Sequence, residues 1–282
     1  MYESEEFDLD AAYAEYLGQD GPPQGDRWST WDQSTPTERG PLPHPDWVVT
    51  ELAAVDTELG VLKTGKEADV FLVERAVPDT ETGTLMAAKR YRNAHHRMFH
   101  RDAGYLEGRQ DKESRVNRAT AKRTAFGKQV IAGQWAFAEF SALSRMWEAG
   151  VAVPYPIQIV DTEVLMEFIG DADGTAGDRL ARLRPEPGEL DDLWAQLCRN
   201  LSLMAREGFT HGDLSAFNVL VHDQRLVIID IPQIVDVIAN PHGPDYLERD
   251  VRNVGGWFIA RGLDPGRVDD LIADLFVDAR LR

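Results

Sequence analysis

Apolar residues along the chain follow two periods, and these predict a strand-rich N-terminal part and a helix-rich C-terminal part. Short runs that alternate, or that are apolar throughout, predict β-strands. They lie at residues 58–62, 69–74, 85–91, 157–160, 164–168, 219–221 and 226–229. Longer segments with apolar residues three or four positions apart predict helices. These segments are 46–55, 134–147, 190–207, 246–260 and 268–277.

A polar loop before the hairpin formed by the last two strands carries the strongest chemical signal. Asp213 and Asn218 lie five positions apart in this loop, and Asp230 follows the second strand of the hairpin, twelve positions later. Phosphoryl transfer needs one group that orients the attacking hydroxyl and oxygen ligands that hold Mg²⁺. Protein kinases place their catalytic Asp, Asn and metal Asp in this order. The simpler reading is a turn with a capping Asp, and His211 is interpreted as a structural support of the loop.

A lysine on the third predicted strand needs a partner. Lys89 alternates with inward-facing neighbours, and a charge on the inner face of a sheet is costly unless it is paired. Glu139 lies fifty positions further on, within a strong helical pattern. We predict a Lys89–Glu139 ion pair, with Lys89 also contacting nucleotide phosphates. The alternative is that both are surface charges.

A turn between the first two strands is a weaker candidate for phosphate binding. Residues 64–68 contain Gly65 and Lys66, whose backbone amides and ammonium group are suited to an anion. A single glycine is not the glycine-rich loop of ordinary kinases. A plain surface hairpin therefore remains open on these residues alone.

Composition is that of a globular protein and excludes several classes. The chain has 282 residues, 43% hydrophobic and 28% charged, which is enough for two domains or one bilobal domain. No run approaches the roughly 20 apolar residues of a membrane helix, and residues 1–6 do not resemble a secretory signal. The single cysteine, Cys198, excludes an internal disulfide. We therefore expect a cytoplasmic protein that does not contact a membrane.

Charge is unevenly distributed along this chain of net charge −18. Residues 1–44 contain ten acidic residues and two arginines and are predicted to form a disordered tail. Trp28 and Trp31 in this tail either dock on the folded body or bind a partner. Residues 90–134 carry eleven Lys and Arg against four acidic residues. This basic insert is read either as a solvated loop or as a contact for an anionic protein, RNA or the acidic tail.

Taken together, these motifs resemble the RIO family of atypical protein kinases, most closely its Rio1 branch. The resemblance covers about residues 46–260. It rests on the Thr-Gly-Lys-Glu-Ala turn, Lys89, the basic insert before Glu139, the Met-Glu-Phe-Ile-Gly segment, the Asp213–Asn218 spacing and Asp230. Further matches are Pro232-Gln233, Asn240-Pro241-His242 and the segment 247–253.

The resemblance implies an α+β, bilobal, trimmed protein-kinase-like fold without an activation segment. An N-lobe would cover residues 45–168 and a mostly helical C-lobe residues 169–282. It further implies that ATP and Mg²⁺ bind, with Mn²⁺ as an alternative ion. Asp213 and Asp230 would be catalytic, and Asn218 and Asp230 would hold the metal. The nucleotide-contacting residues would be Thr64, Gly65, Lys66, Glu67, Val70, Lys89, Glu139, Met166, Glu167 and Ile169, with adenine at the backbone of Glu167 and Ile169.

The expected activity is an ATP- and Mg²⁺-dependent serine/threonine kinase or ATPase. Its phosphoryl acceptor would be a protein Ser or Thr, or its own Asp230, as the Rio1 likeness implies. A second hypothesis is a small-molecule phosphotransferase of the aminoglycoside or choline kinase type, since that class shares the loop spacing. A third is a nucleotide-binding scaffold. A ribosomal or RNA-containing partner of the basic insert is also expected.

Overall fold

A computed structural model describes residue 22 and residues 24–92, 125–232 and 234–281, with the backbone alone for 125–130. The described strands are β1 (Arg27–Trp28), β2 (Val55–Thr64), β3 (Ala68–Ala76), β4 (Gly83–Tyr91), β5 (Pro156–Val160), β6 (Glu163–Glu167), β7 (Asp178–Arg179), β8 (Phe209–Thr210), β9 (Val219–His222), β10 (Arg225–Ile228) and β11 (Val235–Asp236). The described α-helices are α1 (Ala125–Glu148), α2 (Pro187–Arg206), α3 (Gly243–Ile259) and α4 (Gly266–Asp278).

Six strands form the antiparallel sheet of the N-lobe, in the order β1-β2-β3-β4-β6-β5. Side chains alternate between its two faces. On β4, Met86 and Ala88 join one buried cluster, whereas Tyr91 joins another that includes residues of α1. Lys89 has the same parity as Tyr91 and therefore faces α1.

Residues 24–54, here called the strap, cover the opposite face and touch both edges of the sheet. β1 pairs with β2 at one edge, and Arg39 bridges Gln158 of β5 at the other. Gly40 is required at the second contact, because a Cβ there would lie 1.9 Å from the carbonyl oxygen of Pro156. Trp31, only 6% exposed, packs with Tyr155 in the core beneath the strap. The strap is therefore an integral part of the N-lobe.

A buried polar network joins this face of the sheet to the strap. The Arg75 guanidinium donates to both carboxylate oxygens of Asp56, at 2.7 and 3.0 Å, and to Gln158 at 3.3 Å. The Gln158 amide in turn donates to the carbonyl of Thr30 at 2.9 Å. Such bidentate pairing is needed because an unpaired buried charge would be strongly destabilising.

The C-lobe packs α2, α3 and α4 against one another beneath two small sheets, β10-β9-β7 and β11-β8. Leu193, Leu197 and Leu201 of α2 are buried in their core, which matches the predicted helical face. Only residues 231–242 separate Asp230 from α3, which leaves no room for a long activation segment. The predicted kinase-like fold is confirmed. Among the helices of the described residues, none is both long and apolar enough to cross a membrane.

Two predictions for the N-terminal region are wrong. Residues 24–44 were assigned to a disordered tail, but they form the strap, and Trp31 docks on the folded body. Residues 46–55 were predicted as a helix, but turns and extended backbone lead directly into β2. Val48 and Val49 are both buried although they are adjacent, which no single helix face explains. Residues 1–21 and Pro23 lie outside the described residues, so disorder there stays a prediction.

Replacing Trp31 with alanine tests whether the strap belongs to the core. Truncating a buried tryptophan typically costs about 3–5 kcal/mol, so we expect a loss of that size in the free energy of unfolding. Leu42→Ala is the matched control, since Leu42 is 76% exposed on the same strap; its effect should stay within about 0.5 kcal/mol. Urea unfolding followed by circular dichroism measures both. Equal, small losses would contradict an integral strap.

Candidate active site

Lys89 lies between two carboxylates from different parts of the chain. Its Nζ is 2.6 Å from Glu139 Oε1 of α1 and 2.7 Å from Oδ1 of Asp230, which follows β10. The Glu139 side chain is almost fully buried, and that of Asp230 is about one-third exposed. The predicted Lys89–Glu139 pair is therefore present, and Asp230 joins it at the open end.

The pKa values in this cluster follow from the pairing. Burial alone would lower the pKa of Lys89, but the charges of Glu139 and Asp230 outweigh it and raise the pKa above its usual value. Burial would raise the pKa of Asp230, but Lys89 outweighs it, and the pKa lies below its usual value. Both groups are therefore charged at neutral pH.

Tyr91 holds the second oxygen of Glu139. Its hydroxyl donates to Glu139 Oε2 at 2.6 Å, and the ring is 7% exposed. Burial, followed by the nearby Glu139 charge, raises the pKa of Tyr91 well above its usual value. The phenol therefore stays protonated and fixes the orientation of the carboxylate that Lys89 needs. No motif in the sequence indicates this role for Tyr91.

Asp250 of α3 anchors the polar loop from below. Its two carboxylate oxygens accept hydrogen bonds from the Thr210 hydroxyl at 2.8 Å, the Gly212 N–H at 2.6 Å and the Leu214 N–H at 3.1 Å. Gly212 has φ of +85°, a conformation that glycine adopts without steric cost. A buried carboxylate with three donors gives the loop one fixed shape.

Further hydrogen bonds connect the loop to the segment after β10 that carries Asp230. His211 Nε2 donates to the Ile229 carbonyl at 3.1 Å, and His211 Nδ1 accepts from the Asp213 N–H at 3.3 Å. The Asn218 side-chain amide donates to the Asp213 carbonyl at 3.0 Å, and the Asn218 carbonyl accepts from the Ile229 N–H at 2.9 Å. His211 is thus a support of the loop, as predicted.

The three polar residues predicted to act together each keep an oxygen for a ligand. Asp213 is exposed, and its carboxylate accepts no hydrogen bond from a described residue. Because the Asn218 amide nitrogen is engaged, its side-chain oxygen is left over. Asp230 uses Oδ1 for Lys89 and keeps Oδ2. Asp230 also has φ of +66°, in the left-handed region that few non-glycine residues adopt.

These oxygens suit Mg²⁺ rather than a metal ion whose ligands all come from protein side chains. The free side-chain oxygens of Asn218 and Asp230 are hard donors, and Mg²⁺ is usually bound by one or two carboxylates together with water and phosphate oxygens. The described residues contain no cluster of three His, Cys, Asp or Glu side chains with metal-binding geometry.

The predicted phosphate turn lies at the tip of the β2–β3 hairpin. Gly65 donates to the Ala68 carbonyl at 3.0 Å, and a Cβ on Gly65 would come within 2.7 Å of that oxygen. Thr64 pairs with Asp69 across the hairpin, and Val70 lies directly beside Lys89 on the neighbouring strand. Lys66 and Glu67 are exposed in the turn.

The predicted adenine segment follows β6. Met166 is buried between the lobes, and the Glu167 N–H donates to the Tyr155 carbonyl at 2.8 Å, so this N–H is not available to a ligand. The Ile169 carbonyl accepts from the Gly177 N–H at 2.9 Å. The Ile169 N–H donates to no described residue and is left for a base.

Most of the basic insert, residues 93–124, lies outside the described residues. At its N-terminal end, Arg90 pairs with Glu58 and Glu163, and Arg92 pairs with Asp69. These two cations are therefore neutralised within the fold and are not part of an anion-binding surface.

The N-lobe sheet carries a lysine that pairs with a glutamate, and it faces a loop with Asp and Asn and a further Asp that follows a strand. These features define a protein-kinase-like molecule. Comparison with known proteins specifies the family. The RIO domain family matches residues 70–270. The RIO-type serine/threonine-protein kinase Rio1 of Haloferax volcanii is 35% identical over 212 residues, covering 74% of this chain and 66% of that protein.

A second relative, serine/threonine-protein kinase RIO1 of Chaetomium thermophilum, is 33% identical over 224 residues, which cover 73% of this chain and 40% of that protein. The crystal structure of the Rio2 kinase from Chaetomium thermophilum superposes with a TM-score of 0.52 at 22% identity. The match covers 77% of this chain and 63% of that one, and it supports the fold alone. The chain belongs to the RIO family, and its likeness to the Rio1 branch is confirmed. It spans between two-fifths and two-thirds of the length of the curated relatives named here.

Asp250→Asn tests the anchor of the loop. The variant places an amide NH₂ near three N–H or O–H donors, and leaving a buried donor unsatisfied costs about 1–3 kcal/mol. We expect the free energy of unfolding to fall by that amount. Asp270→Asn, an exposed carboxylate of α4, should change it by less than about 0.5 kcal/mol. A stability equal to that of the control would mean that the loop does not depend on Asp250.

Proposed function

We propose that this chain is an ATP- and Mg²⁺-dependent serine/threonine kinase or ATPase. The observation that carries the proposal is Lys89 held between Glu139 and Asp230, next to a loop that presents Asp213 and Asn218. Such a set orients a triphosphate and an acceptor, and phosphoryl transfer depends mostly on positioning and electrostatics. Membership in the RIO family supports the same activity.

Each residue has a definite task in this proposal. The Asp213 carboxylate accepts the proton of the attacking hydroxyl, whose oxygen forms a bond to the γ-phosphorus while the bond from that phosphorus to the β–γ bridging oxygen breaks. Lys89 holds phosphate oxygens. The free Ile169 N–H donates to the adenine ring, with Met166 beside the base and Val70 above it.

Asn218 and Asp230 would hold the magnesium ion, through the two oxygens that their other contacts leave free. When bound, Mg²⁺ neutralises charge on the phosphate oxygens. Mn²⁺ binding stays a prediction.

Asp213→Ala should lower the rate of turnover without weakening ATP binding. Loss of the base is expected to lower turnover by about 10²–10⁴-fold, while the affinity for ATP changes little, because the Asp213 side chain makes no hydrogen bond or ion pair with a described residue. Asp192→Ala, an exposed residue of α2, is the control. ADP release and a titration with a fluorescent ATP analogue measure the two quantities. Weakened binding with surviving turnover would contradict the assigned role.

The same ADP-release assay addresses the competing small-molecule phosphotransferase. Aminoglycosides and amino alcohols should leave the rate unchanged if the acceptor is a protein or the enzyme itself. Stimulation by one of them would favour the competing activity. Tight ATP binding without any turnover would favour a nucleotide-binding scaffold.

Asp230 is also proposed as a phosphoryl acceptor. Its Oδ2 attacks the γ-phosphorus, ADP leaves, and water later hydrolyses the acyl phosphate, so that the net reaction is ATP hydrolysis. We expect incubation with ATP to give a hydroxylamine-labile phosphate that peptide mapping assigns to Asp230. Hydroxylamine-stable phosphate confined to Ser or Thr would reject this route.

The remaining expectations concern location and partners. A cytoplasmic location, a protein substrate and a ribosomal or RNA-containing partner of the basic insert stay predictions.

A further inference from the structure

Lys63 of β2 is a cation that has no role in the proposed function. It is exposed, and its side chain makes no hydrogen bond or ion pair with any described residue. The cations around it differ: Lys89, Arg90 and Arg92 are each paired with at least one carboxylate. Lys63 is therefore available for a ligand.

The register of the sheet places Lys63 on the face that carries Lys89. Lys63 lies opposite Val70, and Val70 lies opposite Lys89. Directly paired residues on antiparallel strands project to the same side of a sheet. Two strand spacings, about 10 Å, separate the backbones of the two lysines, and extended lysine side chains can bridge such a gap to one polyphosphate.

Two β-bulges precede Lys63 in β2. The ladder pairs Glu58 with Val73 and then Gly60 with Leu72, and it pairs Val61 with Phe71 and then Lys63 with Val70, so Leu59 and Leu62 have no partner. Each bulge shifts the register by one residue, so the second restores the alternation with which β2 begins. Lys63 therefore lies on the face of the candidate active site, opposite Val70.

The positive charge of Lys63 also acts on Asp230. Lys63 is among the cations that act electrostatically on the Asp230 carboxylate, after Lys89. Lys63 and Lys89 therefore act on the same volume in front of Asp230.

Besides the Mg²⁺ proposed above, a further positive charge in this volume would favour the binding of a triphosphate. Lys89 is already shared between Glu139 and Asp230, and Asp213 adds a further negative charge at the loop. A lysine ammonium is a common phosphate ligand and acts as a compact point charge.

We propose that Lys63 binds the terminal phosphates of the nucleotide, as a second phosphate-binding lysine alongside Lys89. The inference rests on the proposed function and specifies its site: the ligand is the β- and γ-phosphate part of ATP, and the residue acts from β2. The turn lysine predicted from the sequence, Lys66, is the natural comparison.

The test is the affinity of the full chain for ATP and for AMP, in buffer with Mg²⁺, by competition with a fluorescent nucleotide. Lys63→Gln should raise the Kd for ATP about tenfold, as expected for loss of a partly solvated charged contact. Its Kd for AMP should change less than about twofold, since AMP lacks the terminal phosphates. Lys63→Arg should restore most of the ATP affinity.

Two controls make the result specific. Arg199→Gln removes an exposed charge from α2 and should leave both affinities unchanged. Lys66→Gln removes the neighbouring lysine and should weaken ATP binding less than Lys63→Gln does. The ratio of the two Kd values is the informative readout, because a general loss of folding would affect ATP and AMP alike.

Several outcomes would overturn the proposal. These are unchanged ATP affinity in Lys63→Gln, equal losses for ATP and AMP, or a larger loss in Lys66→Gln. If the unsubstituted chain binds no ATP, both this inference and the proposed function fail. If it binds and hydrolyses ATP while Lys63→Gln behaves like Arg199→Gln, only the inference about Lys63 fails.

Discussion

The arrangement of the whole molecule depends on keeping one buried lysine charged. Lys89 comes from the sheet, Glu139 from α1 and Asp230 from the end of the C-lobe hairpin. An ammonium group taken out of water is strongly destabilising unless carboxylates compensate for its lost hydration. The positions of the two lobes and of α1 are therefore coupled through a single nitrogen atom, and a shift of either lobe would leave a buried charge unpaired.

A second requirement is that the loop and the metal-facing strand keep a fixed geometry although both are irregular. Asp250 satisfies two backbone N–H groups and a hydroxyl, and His211 and Asn218 bind the loop to Ile229. Backbone groups without a regular ladder must find such partners. The loop uses the side-chain nitrogen of Asn218, and Lys89 uses one oxygen of Asp230, so the atoms that remain are those suited to Mg²⁺ and phosphate.

The site was largely predictable from the sequence, whereas the strap was not. The Lys89–Glu139 pair is predictable because an inward-facing charge requires a partner. Asp213, Asn218 and Asp230 are predictable because they lie close together in the sequence, at spacings typical of kinases. The strap has no comparable local signal. β1 is two residues long, and the pairing of the strap with β2 and, through Arg39, with β5 is set by tertiary contacts. Acidic and proline-rich composition predicted disorder, but Trp31 and the buried Arg75 network supply the missing stabilisation.

Sequence reasoning missed those residues whose roles depend on the register of a strand or on the direction in which a side chain points. Nothing in the local pattern shows that Tyr91 faces Glu139 or that Asp250 lies under Gly212. The register of β2 is a further case, since two unpaired residues, Leu59 and Leu62, decide that Lys63 lies opposite Val70, and the sequence pattern shows neither of them. The charges of the site differ in the same way, since Lys89 is shared between two carboxylates, whereas the Lys63 side chain makes no ion pair with a described residue.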